Sequence, residues 1–303
     1  MLVLPNVASV PQYSPLRYPG GKSRWYPFVK KWISGRKKRG PAQAEESLFV
    51  EPFAGGAHAG IAAGVEGLVS EVKLAEKAEG VSSFWATVFE TKKGGEWLAG
   101  RVESLPRLGR REAERVFADA ENGGSSRRAR ALAYLVRNRI SRGGITATGA
   151  GILGEGKDGE KLSSRWYPKT LSRRIRFLTC YRSRFSFRHQ DGFDLIRKHL
   201  SDPGAFLFID PPYPGAGDRL YEHSAVDHER LFALAEEARG SVLMTYDTSE
   251  EAKALASESD LESVSLLTST THHLDKRELL IGQDLRWVGS LSRKYRAEGV
   301  SAS

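Results

Sequence analysis

The apolar run 205–209, followed directly by Asp210-Pro211-Pro212-Tyr213, constrains the fold of this 303-residue chain more than any other feature. Five consecutive apolar residues predict a strand that is buried in a sheet. The two prolines then hold the backbone extended, because proline fixes its own φ and disfavours a helical conformation in the residue before it. The alternative is an ordinary strand with a proline-rich turn after it, since Asp and Pro are common turn residues.

The same four residues place three chemical groups at the end of the predicted strand. The carboxylate of Asp210 is an acceptor for one hydrogen of an exocyclic amino group, and a backbone carbonyl, that of Pro211, is an acceptor for the other. Tyr213 offers a ring face on which a planar base can stack. The motif therefore favours chemistry on the amino group of a nucleobase.

A second region has the pattern of a nucleotide-binding unit. Residues 47–52 predict a short buried strand, 53–60 a small-residue turn that enters a helix, and 69–75 a second strand that ends near Glu76. No Lys-Ser or Lys-Thr follows the glycines of the turn, which disfavours a nucleoside triphosphate bound by a P-loop. The alternative for these glycines is close packing of the helix on the strand.

Two acidic residues mark the ends of these strands. Glu51, at the end of the first strand, is suited to a cationic amino group. Glu76 follows at about the spacing of ~20 residues at which a carboxylate binds ribose hydroxyls in dinucleotide-binding folds. Together they predict a site for a nucleoside that carries no phosphate.

Positive charge is concentrated in the middle of the chain. There are 46 Lys and Arg against 37 Asp and Glu, a net charge of +9, and residues 86–175 hold 19 of the basic and 10 of the acidic residues. The whole excess therefore lies in this segment. It predicts a polyanion-binding surface, with a solvated arginine-rich helical face as the alternative.

The order of the predicted elements indicates an α/β fold with an interruption. Strands and helices alternate in the first part of the chain, give way to helices such as 111–120 and 126–141, and alternate again afterwards. The late segments 261–267 and 277–281 suit an antiparallel pair that closes a sheet. We predict a discontinuous α/β core of residues 11–85 and 176–289, a basic helical insert of residues 86–175, and a polar tail of residues 290–303.

Cysteine and histidine usage predicts a protein without structural zinc or disulfides. Cys180 is the single cysteine, which we interpret as a buried apolar residue, and the 7 histidines are scattered. No run approaches the ~18 apolar residues of a membrane helix, and the N-terminus lacks a secretory signal. We therefore expect a cytoplasmic protein with no obligatory metal and no membrane partner.

Three separated segments resemble those of one family, in the same order along the chain. They are Arg17-Tyr18-Pro19-Gly20-Gly21-Lys22, Phe49-Val50-Glu51-Pro52-Phe53-Ala54-Gly55-Gly56-Ala57 and Phe208-Ile209-Asp210-Pro211-Pro212-Tyr213. On these motifs the chain resembles the Dam-like adenine-specific (N6-adenine) DNA methyltransferases, over roughly residues 15–85 and 176–285. Weaker similarity is found at 190–193 and 243–247. The resemblance implies a Rossmann-like α/β methyltransferase core, with a mixed and mostly parallel sheet, and an inserted, mainly helical target-recognition domain.

The resemblance also implies S-adenosyl-L-methionine as the cofactor. In it, Glu76 binds the ribose, Asp191 binds the adenine amino group, and Asp210 lies between cofactor and target. Two residues depart from the family pattern, which more often has Gly at Ala57 and a small residue at His58. The implied catalytic residues are Asp210, Pro211, Pro212 and Tyr213. The implied cofactor-binding residues are Tyr18, Gly20, Gly21, Lys22, Glu51, Pro52, Phe53, Ala54, Gly55, Gly56, Glu76, Asp191, Gly192, Phe193 and Asp210.

The basic insert is predicted to bind the nucleic acid. Around 126–141 an apolar helical face alternates with arginines, which predicts phosphate contacts from the polar faces. Asn suits adenine and Arg suits guanine in the major groove, so Asn138 and Arg139 are candidates for base readout. The alternative for each arginine is a solvated or ion-paired side chain. The predicted nucleic-acid-binding residues are Arg127, Arg128, Arg130, Arg137, Asn138, Arg139 and Arg142.

These expectations combine into one function with two alternatives. We expect transfer of a methyl group to the exocyclic amino group of adenine in double-stranded DNA, with the base flipped out of the stack. The alternatives are an RNA base-amino methyltransferase and a nucleic-acid-binding regulator that keeps the fold without turnover. A monomer or weak dimer is expected, acting in a restriction-modification pair with an endonuclease or as an orphan methylase.

Overall fold

The computed structural model describes residues 2–18, 20–37, 47–122, 126–144, 153, 160–213, 226–268 and 276–291. Every residue predicted above to bind cofactor, to act in catalysis or to bind nucleic acid lies within these ranges. Pro19 of the first motif and residues 292–303 of the predicted tail lie outside them.

Eight strands form one sheet in the order β1-β7-β8-β6-β5-β2-β3-β4. β8 runs antiparallel to its neighbours β6 and β7, and the remaining pairs are parallel. The strands are β1 Leu2–Val3, β2 Leu48–Glu51, β3 Glu71–Glu76, β4 Phe185–His189, β5 Ala205–Ile209, β6 Ser241–Asp247, β7 Glu262–Thr268 and β8 Lys276–Gly282. The predicted fold class, a Rossmann-like α/β fold with a mixed and mostly parallel sheet, is confirmed.

Helices connect the parallel strands and fill the middle segment. They are α1 Tyr26–Lys37, α2 His58–Val65, α3 Glu79–Phe89, α4 Lys92–Glu103, α5 Arg110–Asn122, α6 Arg127–Ile140, α7 Glu160–Ser163, α8 Pro168–Cys180, α9 Gly192–His199, α10 His228–Glu237 and α11 Glu250–Glu258. Short 3₁₀ helices lie at Val7–Ser9, Lys22–Trp25, Arg142–Gly144, Arg182–Arg184 and Arg286–Leu291.

Alternate residues of the central strands enter two different apolar cores. Phe49 and Phe208 belong to a core that contains buried residues of α1, α2 and α3, whereas Val50 and Ile209 belong to one that contains residues of α9, α10 and α11. Both faces of the sheet are therefore covered. Because successive side chains of a strand point to opposite faces, a strand covered on both sides must be apolar throughout.

The described part of the middle segment is helical and is packed onto the sheet side that carries α3. Leu132, Leu135, Val136 and Ile140 of α6 are buried, as the predicted apolar face requires, and they share a core with Trp85 of α3. The predicted domain boundaries are not tested by this packing and stay a prediction.

β1 was not predicted. Its two residues pair in parallel with β7, at Leu2↔Leu266 and Val3↔Leu267. A two-residue strand has no period to detect, and its partner lies more than 260 residues away. Only the tertiary fold brings the two segments together.

Candidate active site

The predicted site residues meet at one edge of the sheet. β2 lies between β5 and β3, all three strands run parallel, and Glu51, Asp210 and Glu76 stand at or just after their carboxyl ends. The chain leaves β2 towards β3 on one side and reaches β5 on the other, so β2 and β5 flank the point where the strand order reverses. In open α/β sheets, ligands bind in the crevice at this point.

Lys22 is the central cation of the site. It begins the 3₁₀ helix that follows the Gly20-Gly21 turn and is 4% exposed. Its Nζ lies 3.2 Å from Oδ1 of Asp210, 3.1 Å from Oε2 of Glu278 and 2.6 Å from the Tyr213 hydroxyl. An ammonium group has three hydrogens to donate, so each has an acceptor here.

Burial and the two carboxylates act in opposite directions on Lys22. Burial by itself lowers the pKa of the ammonium group, but the charges of Asp210 and Glu278 outweigh it and raise the pKa above its ordinary value. Lys22 is therefore a permanent positive charge at neutral pH. The indole Nε1 of Trp25 also donates to Oε2 of Glu278, at 3.1 Å, which fixes that carboxylate.

Asp210 is held through one of its two carboxylate oxygens. Oδ1 accepts from the Thr245 hydroxyl at 2.7 Å and from Lys22, and the Tyr213 hydroxyl lies 3.4 Å away. The side chain keeps 23% of its exposure, and no described hydrogen bond uses Oδ2. Burial raises the pKa of Asp210, although Lys22 and Thr245 lower it in part. One oxygen is thus anchored and the other is left for a ligand.

Tyr213 is positioned by a stack as well as by its hydroxyl. Its ring lies against that of Tyr246 from β6, with centroids 5.8 Å apart and an interplanar angle of 21°. Tyr246 is fully buried. Pro211 is buried and Pro212 half-buried. In the chain, the two prolines connect β5 to Tyr213. A base that stacks on Tyr213 would extend an existing aromatic pair.

The small-residue turn after β2 is covered by Tyr18. Gly55 has a φ of +46°, and a Cβ placed on it would come within 2.5 Å of the Tyr18 ring. The turn is held by hydrogen bonds from the Trp85 indole to the Gly55 carbonyl, 2.8 Å, and from the Ala54 amide to the Ala75 carbonyl, 2.9 Å. Glycine is required at position 55 both for its backbone conformation and for the ring contact.

Both carboxylate oxygens of Glu76 accept hydrogen bonds from backbone amides. Its Oε2 accepts from the Gly55 amide at 3.0 Å, and its Oε1 accepts from the amides of Lys77 and Ala78 at 2.9 and 3.1 Å. The longer side chain of Glu, compared with Asp, thus reaches the glycine turn. The carboxylate predicted to bind ribose and the turn predicted to face the cofactor are therefore in direct contact.

Glu51 is a buried carboxylate that no described cation pairs with. It is 3% exposed, and its Oε2 accepts from the Gly60 amide at 2.9 Å. Burial raises its pKa well above the ordinary value, the Gly60 hydrogen bond lowers it, and the charge of Asp210 raises it further. A Cβ at Gly60 would lie 2.6 Å from Oε2, so glycine is needed for this approach. A buried carboxylate of this kind favours a cationic ligand group.

The two departures from the family pattern are adjacent to the turn. Ala57 adopts a left-handed conformation, φ 49°, at the N-terminus of α2. The preference for Gly at this position in the family is therefore a backbone preference. The His58 ring lies against Gly21 and Gly56, and burial, with a smaller effect from Arg174, lowers its pKa to about 4. His58 is uncharged at neutral pH.

Asp191, Gly192 and Phe193 start α9 beside the turn after β2. Asp191 caps the helix by accepting from the Phe193 amide at 2.9 Å, and its Oδ2 lies 3.4 Å from Nζ of Lys77. A Cβ at Gly192 would come within 2.6 Å of the Pro52 carbonyl. The rings of Phe53 and Phe193 meet edge to face at 6.2 Å. The predicted cofactor residues from β2 and α9 thus form one surface.

Two of the predicted nucleic-acid contacts are ion-paired within the protein. Arg127 pairs with Glu90, and Nε of Arg130 lies 3.2 Å from Oε1 of Glu79. These arginines follow the alternative that was left open for each of them, an ion-paired side chain.

Other arginines of the predicted set lie on the surface. The guanidinium group of Arg128 is 5.8 Å from the Trp97 ring centroid, and that of Arg137 is 4.9 Å from the Phe117 centroid. Arg142 is exposed. Arg128 is exposed and Arg137 half-buried on α6, and Arg142 follows that helix in the chain.

Asn138 and Arg139 do not face solvent, so their predicted base readout is wrong for this arrangement. Asn138 is fully buried, accepts from the Arg17 amide at 2.9 Å, and donates to the carbonyls of Arg17 and Gly144. Arg139 is 8% exposed and donates from Nε to the Arg165 carbonyl at 2.8 Å. Both side chains satisfy backbone groups where the N-terminal loop meets α6.

Three important residues were not identified from the sequence. Thr245 and Glu278 lie on strands far from Asp210 in the chain, and Gly60 is one of many glycines. Glu278 lies opposite Asp247 in the β6–β8 register, which places it at the same sheet edge. The sequence shows an acidic residue near the start of a strand that was predicted to be antiparallel. Glu278 can be assigned to the site only when this strand is known to pair with β6.

Cys180 is exposed at the end of α8, which contradicts its interpretation as a buried residue. α8 presents only one side to the core, and its last residue turns outward. Among the described residues no group of three or more His, Cys, Asp or Glu is arranged to hold a metal ion. None of the described helices has the length and apolar character needed to span a membrane.

Comparisons with known proteins give distant structural similarity only. No protein-family model matches the chain, and no curated protein matches it. One similar solved structure is described as a "putative RNA methyltransferase" from Pyrococcus horikoshii, with 8% identity, coverage of 91% of this chain and 92% of that chain, and a TM-score of 0.36. Another, described as a "putative methyltransferase" from Escherichia coli, has 9% identity, coverage of 86% and 88%, and a TM-score of 0.30. Similarity at this level carries no argument about activity.

Proposed function

We propose that the protein transfers a methyl group from S-adenosylmethionine to the exocyclic amino group of adenine in double-stranded DNA. The observation that carries this proposal is the pair of carboxylates at the strand-order reversal. Glu51 is buried without a described protein cation, and Asp210 is anchored through one oxygen with the other available. One carboxylate suits a cationic amino acid group and the other suits a neutral amino group.

The residues around the glycine turn fit the cofactor. Glu51 would hold the ammonium group of its methionine part, and Glu76 would hold its ribose hydroxyls, for which a carboxylate is a suitable acceptor. The Tyr18 ring covers the Gly55-Gly56 turn, and the Gly55 amide donates to Glu76. When bound, S-adenosylmethionine supplies an activated methyl group.

Asp210 has the main role in the chemistry. The lone pair of an adenine amino nitrogen is delocalised into the ring, so the nitrogen is a poor nucleophile. Hydrogen bonds from the amino group to Asp210 and to the Pro211 carbonyl draw the nitrogen towards tetrahedral geometry and stabilise the positive charge that develops on it. Lys22 and Thr245 hold Asp210 in place for this, and Tyr213 stacks on the base once it has left the helix.

The test is methyl transfer with identification of the product. The purified chain is incubated with tritiated S-adenosylmethionine and unmethylated genomic DNA, or with total RNA, and the nucleic acid is digested to nucleosides. The proposal requires labelled N6-methyladenine in DNA, after which single-molecule mapping gives the recognition sequence. Label in RNA alone would support the RNA methyltransferase instead. DNA binding with no label in either would support a non-catalytic regulator.

A further inference from the structure

Four arginines converge from separate parts of the chain. Arg17 belongs to the N-terminal loop, Arg139 to the end of α6, Arg165 to the segment before α8, and Arg174 to α8. Arg139 donates to the Arg165 carbonyl at 2.8 Å, and Nη1 of Arg174 donates to the Ser14 carbonyl at 3.2 Å. We call these four residues the arginine cluster.

No described ion pair involves a member of the arginine cluster. Its guanidinium hydrogen bonds go to backbone carbonyls, which carry no net charge, and Nη1 of Arg17 is buried with no hydrogen-bond partner. Burial, together with the charges of Arg17, Arg174 and Arg165, lowers the pKa of Arg139 to about 10. Arg139 is therefore still charged at neutral pH. Like charges are therefore held together with most of their donors unused.

Exposed aromatic rings accompany these charges. Tyr167, which precedes α8, is 51% exposed and lies close enough to Arg17 and Arg139 to affect their pKa values. Phe177, one turn after Arg174 on α8, is 38% exposed. Basic and aromatic side chains side by side are typical of surfaces that bind nucleic acid.

The arginine cluster adjoins the proposed active site. Arg17 directly precedes Tyr18, whose ring covers the glycine turn. The charge of Arg174 contributes to the lowered pKa of His58, whose ring contacts Gly21 and Gly56. An anion on the cluster would therefore lie beside the glycine turn that is assigned to the cofactor.

We propose that Arg17, Arg165 and Arg174 bind phosphodiester groups of the nucleic acid next to the methyl-transfer site, and that the buried Arg139 adds its positive charge to theirs from the protein interior. This inference rests on the proposed function, because it assigns the contact for its substrate. Phosphate oxygens would satisfy the unused guanidinium donors and supply the missing negative charge, and guanidinium groups match phosphate geometry better than other cations do. The proposed phosphate contact thus lies on the N-terminal loop, on α8 and on the segment before it, and α6 contributes only the buried charge of Arg139.

Binding of a fluorescent 20-base-pair DNA duplex at several salt concentrations tests the inference. Arg165 is exposed, so we expect Arg165→Gln to leave the fold intact. Arg174→Gln is combined with it in a double variant. The matched control is Arg176→Gln on the same helix, whose guanidinium is paired with Glu96 and Glu103. Each single variant loses one positive charge, so net charge alone does not separate Arg165→Gln or Arg174→Gln from the control.

We expect each cluster substitution to weaken binding about tenfold and to reduce the salt slope of the binding constant by about one. The double variant should lose about two units of slope, and Arg176→Gln should match the wild type. Equal slopes for the double variant and the control would overturn the inference. If Arg174→Gln fails to fold, Arg165→Gln alone decides.

The outcomes also separate this inference from the proposed function. Methyl transfer to DNA by a double variant with wild-type affinity would overturn the arginine cluster and leave the function intact. Loss of binding in the double variant, with no methylated product from the wild type, would leave the cluster intact and overturn the function.

Discussion

Lys22 and the arginine cluster hold positive charge in opposite ways. Lys22 meets Asp210, Glu278 and the Tyr213 hydroxyl, so its charge is balanced and all its donors are used. The arginine cluster meets backbone carbonyls alone among the described residues.

The difference indicates two uses of a cationic side chain within a fold. A cation that is paired with carboxylates is already neutralised within the protein. Its effect is to hold those carboxylates in one position. A group of cations without carboxylates keeps its affinity for an anion from outside. Glu51 is the acidic counterpart of the arginine cluster, since it is a buried carboxylate with which no described cation pairs. The ion-paired arginines of α6 belong to the first kind.

The largest expected effect is on the rate of methyl transfer, and it comes from Asp210, which is paired with Lys22. Asp210→Asn keeps the shape and the hydrogen bond from Thr245 but removes the charge that is proposed to stabilise the developing cation. We expect the rate of methyl transfer to fall by about 10²–10³-fold, with DNA affinity nearly unchanged. Tritium transfer at saturating substrate measures it. The control is Asp194→Asn, an exposed aspartate paired with Arg197. A rate within threefold of the wild type would remove Asp210 from the mechanism.

Glu278→Gln tests whether Lys22 depends on its second carboxylate. The substitution leaves Lys22 buried with one counter-charge, and we expect the free energy of unfolding to fall by about 2 kcal/mol. Urea denaturation followed by circular dichroism measures the loss. Glu250→Gln, which breaks a lysine pair on the exposed face of α11, is the control and should cost under about 1 kcal/mol. Equal losses in the two variants would contradict the balanced-charge interpretation.

Glu51→Gln should act with the opposite sign on stability. Because the pKa of Glu51 is raised in the folded protein, its contribution to stability is present at low pH and is lost as the pH rises through that pKa. The amide still accepts from Gly60 and carries no charge, so we expect the variant to be more stable by about 1 kcal/mol at pH 7.5.

The pH dependence of the stability difference shows whether the ionisation of Glu51 causes it. The advantage of Glu51→Gln should grow as the pH rises from below the ordinary glutamate pKa of 4.5, and thermal unfolding across that range measures it. Calorimetry should show cofactor affinity reduced about tenfold or more, since the proposed cationic contact is lost. A less stable variant with unchanged cofactor affinity would contradict both expectations.

The smallest effect compares two arginines of α8. Arg176→Gln removes an exposed group paired with Glu96 and Glu103 and should lower the free energy of unfolding by up to about 1 kcal/mol. Arg174→Gln removes a like charge from the arginine cluster, and stability should change by under about 0.5 kcal/mol or rise. Urea denaturation at low salt measures both. A larger loss in Arg174→Gln would mean that the cluster is a structural element.

Much of the fold was predictable because the sheet is covered on both faces. Such strands are short, continuous apolar runs, and the runs at β2 and β5 were identified for this reason. The α6 face was identified from its period. β1 was missed because its pairing is non-local, and Asn138 and Arg139 were misinterpreted because a polar residue on a helix does not reveal whether a loop covers it.

The sequence by itself determined the local parts of this protein: the buried strands, the turn glycines, and the extended Asp210-Pro211-Pro212-Tyr213 segment at the end of β5. These depend on periodicity and backbone preference, which act over a few residues. Only the tertiary structure decided which charges are balanced. Lys22 and Glu278 are 256 residues apart, and the four members of the arginine cluster come from four separate segments. Charge interactions depend on distance in space and on burial, so their outcome is fixed only when the chain has folded.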